Sequence, residues 1–573
     1  MKTTQGAQGF TKGIGRDRFI QRTAIFVMIA GLLIAVLAPL MSLFSRAFTD
    51  RGGQYIGLGN FAKYFTTSAS VQSFQNTMFI SVASSVISVA LALGFAFTLT
   101  RTAVRGKRFF KSVALLPLFA PTMMHGIGLT YLFGHQGIIT TGFFGALPWE
   151  WKIDLYGPVG IILSEVIYTF PQAYLILLVA LSFADYNLYE ASETMGAGKL
   201  RKFLTVTVPN IKYGLISSLF VCFTLSFTDF GAPKVVGGQY NVLATDIYKQ
   251  VIGQQNMGMG ATVGIILIIP AILAFIVDRI LEGKMNSAIT AKSAPYRTGR
   301  NRLRDTLLFT YCLIISGAIL VLTATVFAAA LIKTWPYNLT FTLDHFDFSK
   351  VAGEGMKPFW TSLKVAAWTA VIGTAGTFIG AYLIEKTRHS RLLRQAGYFL
   401  SILPLALPGM VIGLGYIFFF NNPDNPLHAI YGTIWILVLA NMAHFYSVSF
   451  ITATTALKKL DREFEMASES MGVPFYKTFA RITVPICLPA ILEMTMYFFI
   501  NSMVTVSAVM FLYAADLKLA SVSIVNMDDA GDVAPAAAMS MLIVITNIGV
   551  RMIYELVTRG VRKKSAAWQN REG

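Results

Sequence analysis

The stretch of this 573-residue chain most suggestive of catalysis is a decoy. Gly196-Ala197-Gly198-Lys199 ends like a phosphate-binding loop, yet Glu193 stands where that loop needs its first glycine, and Leu200 replaces the Ser or Thr that would hold Mg²⁺. No HExxH, GxSxG or deaminase spacing occurs elsewhere, so no catalytic residue and no resident cofactor is expected. The three cysteines, Cys222, Cys312 and Cys487, lie in apolar runs with neither a CxxC nor a Cys/His metal spacing; they read as small core residues. What remains able to do chemistry is a handful of polar groups inside apolar runs, where ionisable side chains are costly and often functional. Glu165 aligns with Asn441, and Tyr168 with His444, under a constant shift of 276 residues. Matched polar positions of this kind either line a path between two halves or hydrogen-bond within their own half to hold neighbouring helices. Ser226-Phe-Thr-Asp229-Phe-Gly-Ala-Pro233-Lys234 places an acid and a base around Gly and Pro at a helix end. This suits a gate or an entry rim; a salt bridge or a solvated turn is the alternative. His125, beside Pro121 and Gly126, sits where a helix would break or serves packing, and Glu493 and Arg551 fit pairing or snorkelling near span ends.

These groups need a membrane-spanning frame, which composition supplies. With 55% hydrophobic and 13% charged residues, and a mean hydropathy of +0.59, the chain belongs to the membrane class. Twelve apolar runs approach the roughly 20 residues needed to cross hydrocarbon, starting near Ala24, Thr77, Ser112, Pro158, Tyr213, Met257, Thr306, Thr361, Tyr398, Gly432, Ile486 and Ala536. The first is a full span without a small-x-small cleavage site before Arg46, so it is expected to be an uncleaved helix. The net charge of +18 might suggest nucleic acid, but its distribution explains it otherwise. With the N-terminus inside, 35 of the 47 Lys and Arg fall in inner segments and 10 in outer loops. This bias predicts both termini in the cytoplasm.

The chain is also duplicated. Asp185–Pro209 (DYNLYEASETMGAGKLRKFLTVTVP) matches Asp461–Pro485 (DREFEMASESMGVPFYKTFARITVP) without a gap, with ten identities in 25 positions. Leu116-Pro-Leu-Phe-Ala-Pro121 with Met123, Gly126 and Gly128 matches Leu403-Pro-Leu-Ala-Leu-Pro408 with Met410, Gly413 and Gly415 at a shift of 287. Six spans per half make this a parallel repeat. The expected organisation is an all-α polytopic membrane protein: tail 1–23, first half 24–278, basic flexible linker 279–305, second half 306–557 and tail 558–573. In each repeated segment (185–209 and 461–485) a short helix precedes a glycine turn and a second helix. In the first, Asp185 would cap, Leu188, Ala191 and Met195 would form one apolar stripe, Gly196 would turn the chain, and Pro209 would stop Lys199–Val206 from running unbroken into the next span. One copy could merely cover the bundle, whereas two matched copies suit a two-fold partner.

Both segments resemble the EAA loop of ABC-importer permeases: Glu190-Ala191-Ser192, Gly196 and Val206-x-Val208-Pro209 fit the family pattern, and Met466 replaces its Glu in the second copy. The resemblance implies the type I importer permease fold and a cytoplasmic partner, an ABC ATPase pair that holds ATP and Mg²⁺ and grips Glu190, Ala191, Ser192, Gly196, Phe203 and Pro209 in one half and Ala467, Ser468, Gly472, Phe479 and Pro485 in the other. A periplasmic binding protein on the outer loops and residence in the bacterial inner membrane are implied with it. Glu165, Asn441, His444, Asp229 and Lys234 are the candidates for the substrate path. IYTFPQA, TDFGAPKVVGG and the run Tyr240–Gln255 resemble fused permeases assigned to uptake of 2-aminoethylphosphonate, and fused ferric-iron permeases share the plan. The alternative of another class, an ion-coupled secondary transporter, would want several buried carboxylates and has no use for the doubled loop.

Overall fold

Proline placement decides how the apolar runs become helices. In the computed structural model, nine helices among the described residues are long and apolar enough to cross a membrane, and three further pairs do so with a bend. The structure describes residues 17, 19–50, 52–146, 148, 151–182, 186–288, 298–299, 301–353, 355–387, 391–461, 463–514 and 516–569. The Asp185 cap, the linker residues 289–297 and both chain ends therefore lie outside the described residues.

The unbroken helices are α1 (Phe19–Ala47), α2 (Ser68–Arg101), α5 (Pro158–Ser182), α7 (Lys199–Thr228), α9 (Met257–Ala288), α10 (Arg302–Leu331), α11 (Lys357–Lys386), α14 (Ile434–Lys458) and α19 (Val533–Gln569). The bent pairs are α3 with α4 (Lys107–Phe119, Thr122–Phe133; 104°), α12 with α13 (Arg391–Ala406, Gly409–Phe420; 113°) and α16 with α17 (Phe475–Ile486, Leu488–Val504; 78°). The first two bends fall at Pro121 and Pro408, each preceded by a 3₁₀ turn with a second proline. Each proline removes an N–H from the ladder and drives its predecessor into extended backbone, so the helix must restart. Short helices α6 (Tyr186–Thr194) and α15 (Glu463–Ser470) lie in the repeated segments, and α8 (Gly231–Val236) and α18 (Ala520–Asp529) follow α7 and α17. A small hairpin, β1 (Ile332–Thr334) with β2 (Asn338–Phe341), follows α10.

Pro209 does not act as expected. α7 runs from Lys199 to Thr228 through a π-helical turn at Phe203–Thr207, and Pro209 sits in the first turn beyond it. The widened turn absorbs a residue that supplies no N–H. The second copy has the same π turn at Phe479–Thr483, but its helix breaks at Cys487, because Pro489 stands where the first copy has Tyr213.

Packing groups the chain into two units that cut across the sequence halves. One comprises Met1–Ser45, Lys357–Ala520 and Val544–Gly573; the other comprises Arg46–Met356 and Ser521–Ile543. In the first unit, Ile25, Ile29 and Leu32 of α1, one helical face, pack with Phe378, Ala381 and Tyr382 of α11 and Phe450 of α14. Tyr416 donates to the Ala35 carbonyl at 2.7 Å, and Gly415 leaves room for the Pro39 carbonyl. In the second unit, Leu322 and Val326 of α10 close on Gly128, and Tyr311 donates to the Leu91 carbonyl at 2.8 Å. Gly128 and Gly415 are equivalent under the 287 shift. The same bare-backbone slot thus receives the first helix of the opposite sequence half in both units, a placement that helical periodicity cannot foretell.

Candidate functional site: paired loops and a buried polar cluster

The two repeated segments fold alike. α6 ends on Gly196 at φ +71° and α15 on Gly472 at φ +68°, the left-handed conformation that glycine adopts without strain. In each, the amide after the glycine reaches back five residues: Ala197 to the Ser192 carbonyl at 3.1 Å and Val473 to Ser468 at 2.9 Å. This Schellman cap ends the helix and turns the chain at once. The expected stripe of Leu188, Ala191 and Met195 faces outward, with Met195 85% exposed. The second copy exposes Phe464, Met466, Ala467 and Met471, the last 72%. Ser192 and Ser468 instead point inward, and Ser468 bonds Thr478. Glu190, Pro209 and Pro485 are exposed. Each loop is thus an apolar, solvent-facing knuckle on a fixed base.

Aromatic and cationic side chains hold that base. Phe203 packs edge-on against Phe97 of α2 at 5.9 Å, and Phe479 lies 4.8 Å from Tyr382 and 5.8 Å from Phe378 of α11. Four residues beyond Phe97, Arg101 ends α2; its guanidinium donates to the Leu181 carbonyl at 2.7 Å and covers the Tyr189 ring at 5.2 Å. Tyr189 in turn donates to Thr207 at 3.0 Å. Four residues beyond Tyr382, Lys386 ends α11, donates to the Leu460 carbonyl at 2.8 Å and pairs with Glu465 at 3.4 Å. Glu465 is the counterpart of Tyr189 under the 276 shift. A cation at the end of the second helix therefore grips the same loop position in both halves, by a cation–π contact in one and an ion pair in the other. Sequence comparison missed this clasp because both of its partners change between copies. The last basic residue of each apolar run was the available signal.

The path candidates do not form one set. Glu165 and Asp229 lie together in one unit, whereas Asn441 and His444 belong to the other. Glu165 is fully buried beside Asp229 and Ser226, with neither carboxylate oxygen in a well-formed hydrogen bond. Asp229 accepts from the Ala232 amide at 2.9 Å, capping α8, and lies against Thr122. Ser84 donates to Ser226 at 2.9 Å. Among the described residues, fully buried Asn441 has no partner for either amide atom, and the Nδ1 of His444 has none either. Among the described residues the Asn441 side chain makes no hydrogen bond, whereas Glu165 has the Asp229 carboxyl and the Ser226 hydroxyl of its own half beside it.

Asp229 and Lys234 form neither a mutual salt bridge nor a solvated turn. Lys234 pairs with Asp529 of α18 at 2.7 Å and lies over the Tyr248 ring at 5.1 Å. Next to this pair, burial and then the Asp529 carboxylate push Asp528 up to about 6, opposed by Lys234. In the same unit, an open cavity of about 610 Å³ is lined by Tyr131, His135, Tyr156, Lys333, Trp335 and Asp532, among others. His125 is buried with both ring nitrogens unpartnered, Glu493 is exposed, and Arg551 pairs with Glu555 one turn on at 3.2 Å. No group of three or more His, Cys, Asp or Glu is placed to hold a metal among the described residues.

The structure thus holds two copies of one helical membrane unit, each carrying an exposed knuckle clasped to its second helix. The chain belongs to the family of binding-protein-dependent transport system inner membrane components, whose pattern matches residues 88–287 and again 372–563. It is the permease subunit of a binding-protein-dependent ABC importer. Among its relatives, the ferric transport system permease protein FbpB of Actinobacillus pleuropneumoniae is 27% identical over 557 residues, 95% of this chain and 79% of that protein. The putative ferric transport system permease protein FbpB 1 of Haemophilus influenzae is 28% identical over 88% of this chain and 79% of its own length. Among solved structures, a bacterial ABC transporter involved in the import of the polysaccharide alginate aligns with 49% of this chain and 99% of its own at 18% identity and a TM-score of 0.40.

Proposed function

We propose that this permease imports ferric iron across the bacterial inner membrane, using ATP hydrolysed by two copies of a separate ATPase and receiving its substrate from a periplasmic binding protein. The carrying observation for the mechanism is the pair of matched knuckles: equal glycine caps, exposed methionines and clasped bases suit two equivalent clefts on a dimeric partner. The charge bias supports a cytoplasmic position for both knuckles and both termini. ATP-driven closure of the partner then moves the knuckles as rigid levers, and the rocking of the bodies behind them opens the path outward. Because energy enters at the loops, the contacts that differ between states must be there.

The substrate assignment rests on relatives named for ferric transport that span 95% and 88% of this chain. The second reading, 2-aminoethylphosphonate, rests on the resemblance of IYTFPQA, TDFGAPKVVGG and the run 240–255 to permeases assigned to it. Uptake of radiolabelled ferric iron and of labelled 2-aminoethylphosphonate, measured with and without the permease in cells holding its ATPase and binding protein, separates the two. Permease-dependent iron uptake supports the proposal; phosphonate uptake without iron uptake replaces the substrate and leaves the importer intact.

A further inference from the structure

We infer that the carboxyl pair of buried Glu165 and half-buried Asp229 is a transient binding site for the positively charged group of the transported substrate, and that only the first half of the chain carries it. The inference rests on the importer reading and names the place in the path where the cargo is held.

The site is built where two chain breaks meet. α4 begins at Thr122 after the bend at Pro121, and α8 begins at Gly231 after α7 ends at Thr228. A Cβ at Gly231 would collide with the Thr122 hydroxyl, so the two helix starts touch through bare backbone. Non-helical backbone at membrane depth persists only where it is buried in protein or lines a cavity, and broken helices mark ion and substrate sites in transporters. The oxygens gathered here come from Glu165, Asp229, Ser226 and Thr122. The Ser226 hydroxyl lies 2.9 Å from that of Ser84, whose own proton also has the Ile80 carbonyl at 2.7 Å, and stands beside Glu165.

Glu165 is the independent observation that calls for a ligand. Its residue has 0% exposure and both carboxylate oxygens lack a well-formed hydrogen bond. Two adjacent carboxyls with no counter-charge beside them among the described residues are expensive to keep ionised, and a cation arriving between Glu165 and Asp229 supplies that charge. An all-oxygen set with two carboxylates suits a hard metal ion and equally an ammonium, which presents only donors. The two candidate cargoes, ferric iron and an aminophosphonate, share this cationic chemistry. Two carboxylates fall short of the three-ligand cluster that would trap a metal, and a conduction site must release what it binds.

The second half has kept the architecture without the charge. Under the shifts of 276 and 287, Asn441, Thr505 and Gly409 replace Glu165, Asp229 and Thr122, while Ser502 retains the serine of Ser226. There the close contact is inverted, for a Cβ at Gly409 would collide with the Ser507 hydroxyl, and Ser507 is the counterpart of Gly231. The duplicate is therefore an internal control of nearly the same shape and no charge.

The test uses the complete transporter, with ATPase and binding protein, in proteoliposomes containing Glu165→Gln, Asp229→Asn or Ser502→Ala permease, and follows ferric iron in one arm and 2-aminoethylphosphonate in the other. Both carboxyl variants are near-isosteric and remove only charge, and Ser502→Ala trims the second-half counterpart of Ser226. The expected result is at least a tenfold fall in uptake of whichever substrate the wild type carries for Glu165→Gln and Asp229→Asn, with less than twofold change for Ser502→Ala and with ATPase stimulation by the binding protein retained. Wild-type iron uptake matched by Glu165→Gln overturns the inference and leaves the iron assignment standing; a wild type that carries no iron overturns the assignment, and the phosphonate arm then decides the site. A second readout is independent of turnover. Ferric nitrilotriacetate or 2-aminoethylphosphonate should raise the melting temperature of the purified full chain, since a ligand that binds only the folded state stabilises it. Neither carboxyl variant should respond, and an equal rise in the wild type and both variants also overturns the inference.

Discussion

The two knuckles share an outline but are clasped by different physics. In the first, Arg101 lies over the Tyr189 ring and Tyr189 bonds Thr207; in the second, Lys386 meets Glu465 and buried Thr483, the counterpart of Thr207, has no hydrogen-bond partner. The first runs straight into α7, whereas the second is bent by 78° at Cys487. The duplication has therefore kept a lever and a cation at its base while the loop partner changed from an aromatic ring to a carboxylate.

The largest expected effect comes from what the halves share. Gly196→Val and Gly472→Val place a β-branched residue at positive φ, at a cost of roughly 1–2 kcal/mol each, although a Cβ at Gly196 would touch nothing within 4 Å. Uptake should fall more than tenfold in either variant while membrane insertion is unchanged. Wild-type uptake by both variants, with unchanged ATPase docking, would sink the lever account. The next effect separates the halves. Glu465→Gln leaves Lys386, whose side chain is 4% exposed, without its counter-charge, and should lower binding-protein-stimulated ATPase activity several-fold. Tyr189→Phe keeps the ring under Arg101 and loses only the bond to Thr207, so it should cost less than twofold. The double change Lys386→Arg with Glu465→Tyr transplants the first clasp and should restore most of the activity that Glu465→Gln loses. No recovery would mean that the two clasps are not equivalent.

A smaller effect is expected from Pro489→Ala, which allows α16 and α17 to approach the continuity of α7. A distance between spin labels on the two helices should lengthen, with a modest change in uptake. The smallest is a pH effect far from the loops. Asp528, raised to about 6 in the folded chain from an unfolded value of about 4, favours folding at low pH. Its contribution is fully present below about pH 4 and is lost as pH rises through about 6. Melting temperature should therefore fall by less from pH 5 to pH 7 in Asp528→Asn than in the wild type.

Much of this was legible in the sequence, for identifiable reasons. Span count followed from apolar run length, the glycine turns from a spacing seen twice, and the bends at Pro121 and Pro408 from the residue that forces them. The exchange of α1 and α10 was not legible, because an apolar face on a helix says that it packs but not against what. Pro209 misled because a π turn can absorb a proline, and nothing in local pattern signals one. Lys234 was read against Asp229, five residues away, whereas its partner is Asp529; pairing across 295 positions has no local trace. Of the path candidates, the structure joins Glu165 to Asp229, puts Asn441 and His444 in the other unit, and gives Lys234 a structural ion pair.

The central claim is that both knuckles dock on the ATPase in the same way. Met195→Cys and Met471→Cys put a thiol on each exposed tip, while the native Cys222, Cys312 and Cys487 are buried. With a short bifunctional thiol reagent and a single-cysteine ATPase subunit, both variants should crosslink to the same subunit position, each with one copy of the dimer, and both crosslinks should weaken or strengthen together when ATP is added. Crosslinking from only one knuckle, or to different faces of the ATPase, would contradict the account.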